Sequence, residues 1–215
     1  MRALAELHQV WLNQPWTGFD EPPLRTVAAP GLTQRVRWLR QLLATEFDQL
    51  RHLVRQAAPT RLRELALQVF ANFPPLAARW QRDLFLAAEI AVPLQVCLRD
   101  VWHDHVLFVG DRVSGIIDYG AMNVDTPAAD LARLLDSCVA DDEAGWKLAF
   151  DSYSDIRPLS SAERTLCRAY QRSSILLTGL QWITWLFRES RQFAPGQPEE
   201  RLQIALSRMV ESETI

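Results

Sequence analysis

Lysine is almost missing from this chain of 215 residues: Lys147 is the only one, and arginine supplies the remaining strong positive charge. Glycine is sparse as well, and only Gly18 and Gly31 stand before position 100. A Gly-rich phosphate loop with its lysine therefore has nothing to be built from in that half. The three cysteines, Cys97, Cys138 and Cys167, are odd in number and lack a CxxC pair, so neither a zinc knuckle nor a dithiol redox motif is spelled out. They read as reduced, mostly buried thiols of a cytoplasmic protein. A net charge of -3 and a pI near 5.8 give no global basic field, which argues against a nucleic-acid partner held mainly by its phosphates. No run approaches the roughly 18 apolar residues of a membrane span. The opening residues MRALAELHQVWL alternate charge with apolar groups at helical spacing and offer no signal-peptide core. A soluble protein without a membrane partner is predicted, and no internal repeat or low-complexity tract is visible.

What is present is a helical frame. A hydrophobic content of 48% suits a real core, and the length suits one domain or one large lobe. Ala3, Leu4, Leu7, Val10 and Trp11 predict an amphipathic helix ending near Asn13. Pro15, Gly18, Pro22, Pro23, Pro30 and Gly31 predict an extended loop over residues 14–31. Thr33 is expected to cap a long helix striped by Val36, Leu39, Leu42, Leu43, Phe47, Leu50, Leu53 and Val54. Arg35, Arg37, Arg40, Arg51 and Arg55 along it read as a solvated face rather than an anion site. A helix over 61–71, a break at Pro74-Pro75 and a further helix to Ile90 follow. After residue 125, Thr126-Pro127, Asp141-Asp142 and Ser160-Ser161 with Glu163 predict three helix starts, the last helix reaching Phe187. Residues 194–198 interrupt it, and a final helix covers 199–210. The eight tryptophans read as packing residues rather than a stacking platform.

The only convincing strand signals lie in one stretch, residues 94–117: Leu94 to Leu98, Val106 to Val109, a Gly110-Asp111 turn, and Val113 to Ile117. Asp100, His103, Asp104, His105 and Asp118 gather where these runs open into loops, and rims of this kind usually display chemistry. His105 follows Asp100 by five positions, and Asp118 comes after the intervening hairpin. Kinase-type phosphoryl transfer needs parts in this order: an Asp that takes the hydroxyl proton, a metal ligand shortly after, and a second metal-binding Asp.

Leu98-Arg99-Asp100, His105-Val106-Leu107-Phe108, Gly110 to Gly115, Ile117-Asp118-Tyr119-Gly120 and Asp130-Leu131-Ala132 together resemble the signature of the aminoglycoside phosphotransferase and choline kinase-like family. Ala3 to His8 is similar to the first helix of that family's larger lobe. The resemblance implies a mostly α (α+β) protein-kinase-like larger lobe, with helices around a small β-hairpin element. Its divisions are residues 1–91 (helices and Pro-rich loop), 92–125 (catalytic and metal loops) and 126–215 (C-terminal helices). It implies Asp100 as catalytic base, Asp118 and His105 as metal ligands, and Asp130 as the helix-borne carboxylate supporting the catalytic loop. His105 stands where the family has asparagine, and Leu98-Arg99 stands in place of His-Gly. Magnesium prefers oxygen ligands, so an imidazole brings manganese into consideration.

The resemblance implies ATP and magnesium as cofactors and a small hydroxylated, amino-sugar or choline-like acceptor. With neither a Gly-rich loop nor a lysine before Asp100, the nucleotide lobe is expected to be missing, so a partner lobe or a second copy is a possible companion. The alternative is a non-catalytic, pseudokinase-like module that binds a small molecule or protein. A third reading is a metal hydrolase built on Asp100, His103, Asp104, His105 and Asp118.

Overall fold

A computed structural model describes residues 1–12, 14, 16–18 and 25–213. The chain is mostly helical with a few short antiparallel strands. The opening amphipathic spacing forms α1 (Arg2–Leu12), which buries Leu4, Ala5, His8 and Trp11. Asn13, Pro15, Pro22 and Pro23 of the expected loop lie outside the described residues. The end of that loop is in fact a strand, β1 (Thr26–Ala28), paired antiparallel with β2 (Ala91–Pro93). Three residues are too few to show an alternation.

Helix α2 (Pro30–Gln41) begins at Pro30, earlier than the expected Thr33 cap. Proline costs nothing at the first helical position, where its N–H would lack a partner anyway. The stripe then passes through a π-helical turn, Leu42–Glu46, into α3 (Phe47–Gln56). That turn shifts the buried face, so Leu39, Leu42, Leu50 and Val54 are inside while Leu43 and Leu53 are exposed. Helix α4 (Arg61–Ala87) runs on through Pro74 and Pro75, where a break was expected. An interior proline costs about 3 kcal/mol in a free helix. Here both rings sit on the exposed side, and burial of Phe73, Leu76, Ala77 and Trp80 keeps the two halves in line.

The expected strand over 94–98 is shorter, β3 (Gln95–Cys97), and pairs with β6 (Asn123–Asp125) rather than with the hairpin. The hairpin forms as its pattern predicts, from β4 (Val106–Val109) and β5 (Arg112–Ile116), turning at Gly110 with φ +58°. Beyond it, Thr126 caps α5 (Pro127–Val139) and Asp142 caps α6 (Glu143–Ser154). Ser160 and Glu163 form a reciprocal capping box on α7 (Ser161–Ile183), with bonds of 3.2 and 2.9 Å. A second π-helical turn, Thr184–Arg188, follows α7, and α8 (Gln197–Glu213) ends the described chain. Among the described residues no helix is long and apolar enough to cross a membrane.

The chain divides into two compact units, Met1–Thr33 with Leu86–Gln171, and Gln34–Phe85 with Arg172–Ile215. Leu4, Val96, Leu98, Leu131, Leu135, Trp146 and Tyr153 fill the core of the first; Leu39, Leu50, Val54, Leu65, Phe73, Leu180 and Leu202 fill that of the second.

Candidate active site

The residues singled out in the sequence lie on two loops of the first unit. The chain leaves β3 at Cys97 and turns sharply, and the turn is held from α5. Asp130, fully buried, accepts the Leu98 N–H at 2.7 Å and the Arg99 N–H at 2.6 Å. Arg99 is thereby kept at φ +66°, a left-handed conformation that a residue with a Cβ enters at a cost of about 1–2 kcal/mol. The family pattern that this stretch resembles has glycine here, the residue that enters such a conformation without cost. The Arg99 guanidinium approaches Asp125, Nε to Oδ2 3.6 Å. Asp125 also accepts the Tyr170 O–H at 2.8 Å and the Thr126 N–H at 2.9 Å, yet burial pushes its carboxyl pKa upward. Asp100 stands half exposed on the turn, and its Oδ1 accepts the Arg133 Nε–H at 3.1 Å.

His105 closes a short 3₁₀ turn, His103–His105. Its Nδ1–H donates to the Asp100 carbonyl at 2.9 Å, and its Nε2 accepts the Trp102 indole N–H at 2.6 Å. The same Nε2 lies 3.7 Å from Asp118 Oδ2, and the His105 carbonyl accepts the Ile117 N–H at 2.9 Å. One residue thus fastens the Asp100 loop to the Asp118 loop at the open end of the hairpin. Asp118 has φ +64°, is exposed, and among the described residues accepts only a long bond of 3.4 Å from the Gly120 N–H. Left-handed non-glycine residues flag sites where surrounding structure overrides local preference, and Arg99 and Asp118 are two of the four described here.

These donors suit a hard cation through Asp118, whose oxygens remain accessible. Both ring nitrogens of His105 have protein partners, the Trp102 indole and the Asp100 carbonyl. His103 and Asp104 are exposed and contact each other at 3.3 Å. Among the described residues, no three of Asp100, His103, Asp104, His105 and Asp118 bring ligand atoms within 4.8 Å of one another, so the hydrolytic metal cluster is not assembled. Lys147 pairs with Asp151 at 2.8 Å on the exposed side of α6, away from any site role. Cys97 and Cys167 are buried, Cys138 is exposed, and all three are unbridged. The apolar hairpin residues Phe108, Val109 and Val113 are exposed.

Three contributors to the site carry no sequence motif. Arg133 sits one helical turn beyond Asp130 and is found only by its bond to Asp100. His8, which meets Asp130 from α1, and Tyr153, which meets His8 from α6, look from sequence like ordinary helix residues. In the second unit, a cavity of about 600 Å³ is lined by Arg35, Trp38, Glu46, Ser174, Trp182 and Trp185 among others. Two of the tryptophans, Trp182 and Trp185, meet edge to face at 5.3 Å.

The profile of the phosphotransferase enzyme family (APH) matches residues 1–164. The chain belongs to that family. It is similar to the homoserine kinase of Methylocella silvestris, 32% identical over 127 residues, covering 56% of this chain and 37% of that protein. The homoserine kinase of Brucella melitensis biotype 1 is 26% identical over 190 residues, covering 83% of this chain and 56% of its own length. That of Agrobacterium fabrum is 32% identical over 118 residues, 51% of this chain and 34% of the relative. The chain therefore spans between about a third and somewhat more than half of the length of these relatives.

Proposed function

We propose that this chain carries the phosphoryl-transfer loops of a small-molecule kinase that moves the γ-phosphate of ATP to the hydroxyl of a small amino acid or amino alcohol. The observation that supports the reading is the joining of two acidic loops by His105, which bonds the Asp100 carbonyl at 2.9 Å and approaches Asp118 at 3.7 Å. Asp100 accepts the proton of the acceptor hydroxyl as that oxygen attacks the γ-phosphorus and the bond to the departing ADP oxygen breaks. Arg133 orients the Asp100 carboxylate through its 3.1 Å bond. Asp118 would hold a divalent cation, magnesium by the hardness of its oxygens; when bound, such an ion neutralises charge on the phosphate oxygens. Asp130 keeps the loop in shape. The relatives' name directs attention to homoserine, a hydroxy amino acid, ahead of the amino-sugars and choline, which likewise carry a hydroxyl near an amine.

The test is ATP turnover by the whole gene product with homoserine, an aminoglycoside and choline offered in turn. Removing a general base costs about 10²–10⁴ in rate, so Asp100→Asn should lower turnover by that factor, and Asp118→Asn should raise the magnesium requirement. Turnover unchanged in both variants would overturn the reading.

A second reading, a binding module without chemistry, draws on one observation: His105 replaces the expected asparagine and has both ring nitrogens engaged. It expects ligand binding that is indifferent to nucleotide, and tight ATP binding by calorimetry would count against it.

A further inference from the structure

Behind the Asp100 loop lies a buried chain of polar groups whose outer members, His8 and Tyr153, the phosphotransferase reading does not use. His8 of α1 is fully buried, with Nδ1 2.7 Å from the Tyr153 hydroxyl of α6 and Nε2 3.0 Å from Asp130 Oδ2. Asp130 in turn holds the Leu98 and Arg99 N–H groups. Burial raises the Tyr153 pKa, so the phenol stays an O–H donor. A carboxylate oxygen only accepts, so the ring hydrogen sits on Nε2, facing Asp130 Oδ2, and the bare His8 Nδ1 accepts from the Tyr153 hydroxyl. The Gln95 amide fixes the helix from the other side, donating to the His8 carbonyl at 3.2 Å.

Cys97 lies close enough to complete a metal-ligand trio with His8 and Asp130. That alternative is poor on two counts. The Asp130 oxygens are already committed to three N–H donors, and burial raises the Cys97 pKa, disfavouring the thiolate a metal requires.

We propose that His8 and Tyr153 are positioning residues. They form a one-way relay, Tyr153 O–H to His8 Nδ1 and His8 Nε2–H to Asp130, that sets the orientation of the carboxylate shaping the Asp100 loop. The relay rests on the reading of that loop as the catalytic one for its functional meaning, but not for its existence. Buried hydrogen-bond chains polarise one another, and loss of an outer member weakens the inner bond. Removing the Tyr153 hydroxyl therefore loosens Leu98 and Arg99, although Tyr153 touches neither through a hydrogen bond.

The experiment is NMR on the full chain and needs no turnover, so it separates this proposal from the phosphotransferase reading. Long-range ¹⁵N spectra should show His8 as the Nε2–H tautomer. Tyr153→Phe, which keeps the ring, should speed amide exchange at Leu98 and Arg99 by about tenfold while the α4 amides Leu65 to Phe73 stay unchanged. His8→Gln, whose amide still reaches Asp130, should exchange about tenfold more slowly at Leu98 and Arg99 than His8→Leu. An Nδ1–H tautomer, unchanged exchange in Tyr153→Phe, or equal exchange in the two His8 variants would each overturn the proposal. If a turnover assay is available, Tyr153→Phe should lower kcat and leave the KM for ATP in place.

Discussion

Replacing Asp130 by asparagine changes one oxygen to an amide and tests how much the loop depends on a single carboxylate. In the protein Oδ2 accepts from Leu98 N–H at 2.7 Å and His8 Nε2 at 3.0 Å, while Oδ1 accepts from Arg99 N–H at 2.6 Å. Asparagine has one acceptor oxygen. Placed where Oδ2 is, it keeps two bonds and turns its NH₂ against the Arg99 N–H; placed where Oδ1 is, it keeps only one. The better choice leaves one buried donor unpaired, about 1–3 kcal/mol, and makes two charge-assisted bonds neutral at about 1 kcal/mol each. Relief of a buried charge offsets part of this. A net loss of about 3 kcal/mol is expected. With a urea dependence near 2 kcal/mol per molar, the unfolding midpoint should fall by about 1.5 M. Tryptophan fluorescence would follow it, and Asp155→Asn, which breaks only the exposed 3.0 Å pair with Arg2, serves as the control and should cost under about 1 kcal/mol. A midpoint shift for Asp130→Asn no larger than the control's would refute the claim that this carboxylate organises the loop.

Arg99→Gly and Arg99→Ala both remove the contact with Asp125, but only glycine relieves the φ of +66°. The glycine variant should be the more stable by about 1 kcal/mol, and equal urea midpoints would show that the left-handed turn is not strained. At Gly31 an added Cβ would collide with the Asp125 carboxylate and stand 3.0 Å from the Tyr170 hydroxyl, so Gly31→Ala should lower stability by about 2 kcal/mol on thermal or urea unfolding. Because burial raises the native Asp125 pKa above the ordinary value of about 3.9, the folded state retains a proton that the unfolded chain has shed. This contribution to stability is present at low pH and is lost as pH rises from about 4 through the native value. Wild type should therefore lose stability relative to Asp125→Asn between pH 4 and pH 7, and a relative gain over that interval would contradict the assignment.

The candidate site was legible in sequence to the extent that it was local. Asp100, His105 and Asp118 are linked by a hairpin whose turn carries Gly110, so spacing alone could place them near one another. Asp130 was legible only through the family pattern, since nothing in the α5 sequence says that its carboxylate points back at residues 98 and 99. The pairing of β3 with β6 escaped because each strand has three residues and the partners are far apart in the chain. Pro74 and Pro75 misled because proline chemistry describes a free helix, whereas burial of Phe73 and Leu76 on either side decides the folded one. At His105 an imidazole near two carboxylates suggests a metal by residue type, whereas its bond from the Trp102 indole N–H could be read only from the fold.

The relay behind the Asp100 loop also bears on the time at which the protein acquires its shape. Its bonds join residues 122 and 145 positions apart, so the first cannot form until the chain has been made as far as Asp130, nor the second until Tyr153. At synthesis rates of about 5–20 residues per second, that is on the order of ten seconds after His8. Once made, residues 98–100 lack their frame until Asp130 follows, about 30 residues or a few seconds later. Contacts of such long separation are also slow to close. The left-handed turn beside Asp100 is thus among the late events of folding on the ribosome, and a nascent chain shorter than this holds the acidic loop without the geometry to use it.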